Sequence, residues 1–135
     1  MTLLATEFRA IACDVLQIDR AGLYDDQIAI TLLDSDEQPL VLHLHHNAAE
    51  HLISLTGLLG VEIDDSLPAE VLLAIGQAAT EPLRAGYGLG ILPETRHLVV
   101  FKLMPETLFT RERLREGLAE LLRQAAMWNR TLARR

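Results

Sequence analysis

The feature that most constrains this chain is a pair of alternating hydrophobic runs separated by a polar segment. The runs span residues 28–33 and 40–45, and an acidic stretch ending in Pro39 joins them. Successive side chains of a β-strand point to opposite faces, so a period of two predicts strands, and two such runs around a turn predict an antiparallel hairpin. An antiparallel sheet is therefore the expected centre of the fold.

Three other segments carry the helical period. Apolar residues recur at spacings of three and four within residues 4–15, 67–79 and 114–132, which predicts three amphipathic helices. Thr110 is suited to cap the last one, because a short side-chain acceptor satisfies free N–H groups at a helix start. We expect this last helix to pack Trp128 on the sheet and to leave its Arg- and Glu-rich face in solvent.

Further β-runs complete the order of elements. Residues 52–59 contain small and β-branched side chains that favour a strand. Residues 86–91 alternate glycine with larger side chains, and residues 96–103 hold the clearest β-run of the chain. The predicted order is α-β-β-β-α-β-β-α, in one α+β domain over residues 1–135, with a twisted antiparallel sheet covered by helices.

Charge and cysteine content exclude several classes of partner. The formal net charge is −7, whereas nucleic-acid-binding domains concentrate Lys and Arg on one face, so no nucleic-acid partner is expected. Cys13 is the only cysteine, which rules out an intramolecular disulfide and favours a reducing cytoplasm. No apolar run approaches the roughly 20 residues of a membrane helix, and the start of the chain lacks the pattern of a signal peptide. A soluble cytoplasmic protein with no membrane contact is the expectation.

A histidine cluster in the second half of the hairpin is the main candidate for chemistry. On a strand, His43 and His45 point to the same side, His46 points to the other, and His51 returns across a short turn with Glu50 beside it. Imidazole and carboxylate ligands suit zinc, so a small metal-binding protein is one alternative. The spacing matches no known metal motif, and half-exposed polar residues on a hairpin surface explain it more simply. We therefore expect no metal.

No other segment predicts catalysis. Gly86, Gly88 and Gly90 precede another β-run rather than a helix, so they cannot form a phosphate loop, which needs a helix N-terminus. Cys13 adjoins the apolar stripe of the first helix, where a buried, unreactive thiol is the usual outcome. We expect no cofactor and no enzymatic activity.

Apolar surface is the feature that remains. The last strand is apolar on both faces across residues 98–104, and such a strand is covered twice, often by a second subunit. Leu33 and Val41 lie on the hairpin face opposite its other aliphatic residues, where an outside peptide could bind. Binding of another protein chain is thus the predicted activity.

The order of elements, the size and the acidity resemble the class I chaperones of type III secretion systems, the Tir chaperone family. The closing segments carry the resemblance most clearly: Tyr87-Gly88-Leu89-Gly90-Ile91, then residues 98–105, then a helix ending Gln124-Ala125-Ala126-Met127-Trp128. The second helix departs from the pattern. Members often have an asparagine after its leucines, whereas here Leu72-Leu73 leads to Gly76-Gln77-Ala78.

The resemblance implies a cytoplasmic homodimer without catalytic activity or cofactor. It would bind the N-terminal region of a secreted effector in extended form, keep it secretion-competent and help deliver it to the export ATPase. The implied dimer interface lies on the second helix and the last two strands, at Val71, Leu72, Ile75, Leu89, Val99 and Phe101. The implied effector-binding residues lie on the first helix and the sheet, at Leu3, Phe8, Leu33 and Val41.

Two alternatives remain open on the sequence. One is a regulatory or structural dimerisation domain of the same fold that carries no secretion cargo. The other is the small metal-binding protein that would use His43, His45 and His51.

Overall fold

The computed structural model describes residues 3–18, 26–63, 66–79 and 87–133. In chain order the elements are α1 (Ala5–Leu16), β1 (Gln27–Leu33), β2 (Pro39–Asn47), β3 (Leu52–Glu62), α2 (Ala69–Ala78), β4 (Tyr87–Ile91), β5 (His97–Pro105), a 3₁₀ turn (Glu106–Leu108) and α3 (Arg111–Ala133). The predicted order α-β-β-β-α-β-β-α is confirmed, and so is the α+β class.

Element boundaries differ from the predicted ones by a few residues. The second helix begins at Ala69 rather than at residue 67, and Pro68 precedes its first turn in an extended conformation. The third strand continues to Glu62, beyond the predicted run. The fourth begins at Tyr87, and Gly86, with which the predicted run began, lies outside the described residues.

The strands form one antiparallel sheet in the order β1-β2-β3-β5-β4, so β1 and β4 are its edges. The first two strands form the predicted hairpin, in which Leu32 lies opposite Leu40 and Thr31 opposite Val41. After β3 the chain passes through α2 to the far edge as β4 and turns back as β5 between its neighbours. Side chains opposite each other on paired strands share a face, so this register determines both faces of the sheet.

The inner face of the sheet, defined as the face that carries Leu42, forms the core with the helices. Along β2 and β3 every second residue is buried, which is the strand period expected of a sheet with one covered face. The core includes Phe8 of α1, Ile75 of α2 and Trp128 of α3. The buried apolar residues of all three helices therefore belong to this one face.

The last helix is capped and packed as predicted. The Thr110 hydroxyl accepts a hydrogen bond from the Arg113 N–H at 3.1 Å. Trp128 is buried at 5% exposure. The helix lies directly against the sheet at Gly117, where a Cβ would be in ordinary van der Waals contact with Leu55, at 3.6 Å.

The outer face of the sheet carries the alternate residues, including Val41 and Phe101. No described helix contributes to a core on this side. Within the described ranges, no helix is both long enough and apolar enough to span a membrane.

Candidate functional site

An apolar row crosses the outer face of the sheet. Val41 lies opposite Leu58, and Leu58 lies opposite Val99, so strands β2, β3 and β5 each contribute one side chain. We call these three residues the outer row. Leu33, on the edge strand of the same face, is 62% exposed, and Val41 is 42% exposed. Aliphatic side chains this accessible on neighbouring strands form a surface that a partner chain can cover.

A second outer-face feature lies next to the row, nearer the β4 edge. Phe101 is paired with Gly88, and its half-buried ring occupies the space that a side chain at position 88 would need. Leu103, two residues further along β5, is exposed on the same face. The predicted dimer residues Val99 and Phe101 therefore share a face with the predicted effector-binding residues Leu33 and Val41.

The first helix lies on the opposite side of the sheet. Phe8 is fully buried, with its ring 5.2 Å from that of His46 and 5.5 Å from that of Phe109. It is a core residue in this conformation, and the sequence prediction that it contacts an effector stays a prediction. Leu3 is partly buried, and its neighbour Leu4 is exposed. The start of α1 therefore presents these two leucines rather than Phe8.

The second helix is only partly covered by its own subunit. Of the predicted interface residues, Ile75 is buried in the core and Val71 is partly buried against it. Leu72 is 51% exposed, and Leu73, which the sequence reasoning did not select, is 64% exposed. Two adjacent leucines widen the apolar face of a helix beyond what one small core covers. This wide apolar face is the sequence feature that could have indicated the exposure of Leu73.

A cavity separates the end of this helix from α3. It measures about 340 Å³ and lies between Ala78 at the end of α2 and the α3 residues Gln124 and Trp128. Leu89, another predicted interface residue, lines it from the sheet and is itself buried. The six predicted interface residues thus divide into three groups. The first is buried or partly buried and consists of Val71, Ile75 and Leu89. The second is the exposed Leu72, and the third is the pair Val99 and Phe101 on the outer face of β5.

No family model and no curated protein matches this sequence. Solved structures do match it. A chain of the ExsC–ExsE complex gives a TM-score of 0.73 at 17% identity, with 96% of each chain covered. A chain of the HopA1–SchA chaperone–effector complex gives 0.66 at 23% identity, covering 90% of this chain and 91% of that one. A chain of the heterodimeric ExoU–SpcU complex, from the type III secretion system of Pseudomonas aeruginosa, gives 0.52 at 19% identity, covering 84% and 93%.

This chain has the fold of type III secretion chaperones. The likeness extends over almost the full length of both chains, so it includes α2 and both edge strands as well as the hairpin. The fold implied by the sequence resemblance is confirmed.

The histidines of this chaperone fold do not converge as the metal hypothesis required. His43 and His45 share the outer face with their rings 6.2 Å apart, and the His43 Nε2 lies 3.1 Å from the Gln27 Oε1. His51 instead contacts Glu106. Among the described side chains, no three His, Cys, Asp or Glu residues are placed to hold a metal ion.

A buried polar cluster was missed by the sequence analysis. The Glu106 side chain is 2% exposed, with its Oε1 2.7 Å from the Nε2 of His46 and its Oε2 3.2 Å from the Nδ1 of His51. The hydrogen bond from His46 is the main reason why the pKa of Glu106 lies below its ordinary value, and burial opposes that shift. A glutamate just after the last strand gave no sequence signal, because its partners are at least 55 residues away along the chain.

Proposed function

We propose that this protein is a type III secretion chaperone that binds the N-terminal region of a secreted effector in extended form and keeps it competent for secretion. The observation that carries the proposal is the exposed apolar outer face of a sheet whose fold is that of such chaperones. Among the matched structures, the HopA1–SchA complex is described as a chaperone–effector complex. Holding a client in this way requires no chemical step, so we infer neither enzymatic activity nor a cofactor.

The outer face supplies the kind of contacts that an extended chain needs. Burying one aliphatic side chain contributes about 1.5–3 kcal/mol, so several contacts at Leu33, Val41 and Leu58 can offset the cost of ordering a disordered segment. Among the described strands, the edge strand β1 pairs only with β2, over all seven of its residues. Its other edge, which pairs with no described strand, can therefore offer main-chain hydrogen bonds to an added strand.

The predicted effector-binding residues imply a path around the protein. Leu3 lies with α1 on the core side of the sheet, whereas Val41 lies on the outer face. A client that contacts both must pass around an edge of the sheet, and β1 is the edge next to Val41. An extended chain can follow this path, whereas a folded domain cannot contact both faces at once.

We infer that the working form is a cytoplasmic homodimer. The exposed leucines of α2 and the cavity beneath its last turn show apolar surface on this helix that the described residues of one subunit do not cover. A second copy of the chain would cover Leu72 and Leu73, with Val71, Ile75 and Leu89 supporting the helix from below. Val99 and Phe101 of the sequence prediction would belong to the outer-face part of that interface. Delivery to the export ATPase is a further proposal that rests on the resemblance.

The test is recovery of a client from the native host. The tagged wild type and an identically tagged Leu33→Asp/Val41→Asp variant are purified separately. The proteins bound to each are then compared by mass spectrometry. We expect a secreted protein to be enriched on the wild type and lost from the variant, and its N-terminal peptide to bind the purified dimer in titration calorimetry. Enrichment of a regulator that is never secreted would instead support the dimerisation domain without cargo.

A further inference from the structure

The carboxylate of Glu106 joins three separate parts of the chain. Its Oε1 accepts a hydrogen bond from the Nε2 of His46 on β2, at 2.7 Å. Its Oε2 accepts one from the Nδ1 of His51 in the β2–β3 turn, at 3.2 Å, and one from the backbone N–H of Leu3, at 3.3 Å. One oxygen of this buried carboxylate therefore holds the segment that enters α1 to the β2–β3 turn, and the other is bound to β2.

The surrounding contacts fix the position of this carboxylate. The Glu106 N–H donates to the His51 carbonyl at 3.0 Å, which ties the 3₁₀ turn to the β2–β3 turn. The His46 ring lies against the Phe8 ring, which in turn lies against Phe109. The polar cluster and the aromatic contacts thus support each other, and both anchor the first helix.

The two histidines differ in their access to solvent. The side chain of His46 is 3% exposed, whereas that of His51 is 65% exposed. His51 also adopts a left-handed backbone conformation, with φ of 56°, and this conformation orients the turn in which its ring meets Glu106. His51 is therefore the solvent-exposed member of the cluster.

We propose that Glu106 is a positioning residue that latches the start of α1 to the β2–β3 turn, and that this latch opens in acid. The proposal deepens the proposed function, because Leu3 and Leu4 belong to the surface suggested for the client. It assigns to His46, His51 and Glu106 a role in presenting that surface.

The direction of the pH dependence follows from the charges. Folding lowers the pKa of Glu106, so its stabilising effect is complete above the ordinary carboxyl pKa and is lost as the pH falls through the lowered value. Protonated Glu106 no longer offers two acceptor oxygens, and Leu3 is released.

Other titratable side chains lie on the elements around the cluster: Glu7 on α1, Asp26 and His45 at the β1–β2 end, Glu50 in the turn, Lys102 on β5 and Arg111 on α3. Glu7 accepts a hydrogen bond from the Leu4 N–H, and Arg111 pairs with Asp14. These groups can add their own pH dependence to the protection of the Leu3 amide. Single substitutions within the cluster distinguish that contribution from the effect of the latch.

The experiment is hydrogen exchange of the Leu3 amide, measured by NMR on the full chain without client, from about pH 2.5 to pH 8. In the wild type we expect the protection factor to be constant near neutral pH and to fall in acid, as Glu106 is protonated. Glu106→Gln should lower it about tenfold and flatten the profile, since it removes a charged acceptor. His51→Ala, a change at an exposed side chain that leaves the core intact, should lower it by a smaller factor, because it removes one of the donors that hold the carboxylate. His43→Ala, an outer-face histidine away from the cluster, should match the wild type.

A wild-type profile that is flat, or His51→Ala with an unchanged profile, would overturn the latch even if Glu106→Gln failed to fold. Because no client is used, this result is independent of the search for an effector. A protection factor that falls in acid as expected, in a protein that captures no secreted client, would support the latch while the proposed function fails.

Discussion

Phe101 lies directly over Gly88 on the outer face of the sheet. A Cβ at position 88 would come within 2.1 Å of the Cζ of that ring, a distance at which one of the two must move. Gly90, two residues along the same edge strand, has no atom within 4 Å of the corresponding position. Packing on β4 thus requires glycine at position 88, whereas position 90 has room for a larger side chain.

The first prediction compares these two glycines. Gly88→Ala should destabilise the protein by about 1–3 kcal/mol, because an aromatic ring packed on the sheet cannot move aside without a change elsewhere. Gly90→Ala is the matched control and should change stability little. Urea unfolding followed by the fluorescence of Trp128, the only tryptophan, measures both. Equal stabilities of the two variants would contradict the packing described here, and Phe101→Ala should restore part of the loss in the Gly88→Ala protein.

The second prediction concerns the turn of the hairpin. The buried Asp34 accepts hydrogen bonds from the N–H groups of Asp36 and Gln38 with one oxygen, and from the Asn129 side chain with the other, at 3.1 Å. Asn129→Ala leaves that second oxygen buried without its partner, so we expect a loss of about 1–3 kcal/mol. Arg130→Ala, which removes an exposed ion pair with Asp36, should have a smaller, salt-dependent effect in the same unfolding assay. The reverse order of the two effects would show that the buried contact is not what holds the turn.

The third prediction tests the proposed dimer. Leu72→Asp should give a folded monomer, since the side chain is already half exposed within one subunit but would be buried against a second copy, where an unpaired charge is costly. Leu33→Asp carries the same charge at an exposed position on the outer face and should remain dimeric. Light scattering coupled to gel filtration measures both masses. A wild-type protein that elutes as a monomer at micromolar concentration would refute the dimer.

The fourth prediction concerns client binding. Val41→Asp should weaken binding of a client's N-terminal peptide about tenfold or more, because a charge replaces an aliphatic contact on the outer row. Moderate salt should have only a slight effect, as expected for recognition that is mainly apolar. Calorimetric titration of the dimer measures both, with circular dichroism as the check on folding. Unchanged binding by Val41→Asp, together with loss of binding in salt, would indicate electrostatic recognition instead.

Local patterns were sufficient to predict the order of elements in this fold. The hairpin is an example: residues such as Leu32 and Leu40 alternate with polar neighbours because one face of the sheet is buried, and they pair as predicted. The outer positions of Leu33 and Val41 followed from the same period. Trp128 on the inner stripe of α3 and the capping of that helix by Thr110 followed from the helical period.

The tertiary structure alone decided what covers each apolar surface. Periodicity shows which residues share a face but not which element packs on it, so the sequence did not indicate that Phe8 packs against His46 and Phe109. The placement of β5 between β3 and β4 brings Glu106 to histidines more than 50 residues earlier. Hydrogen bonds over such separations depend on strand order, and local side-chain periodicity contains no information about strand order.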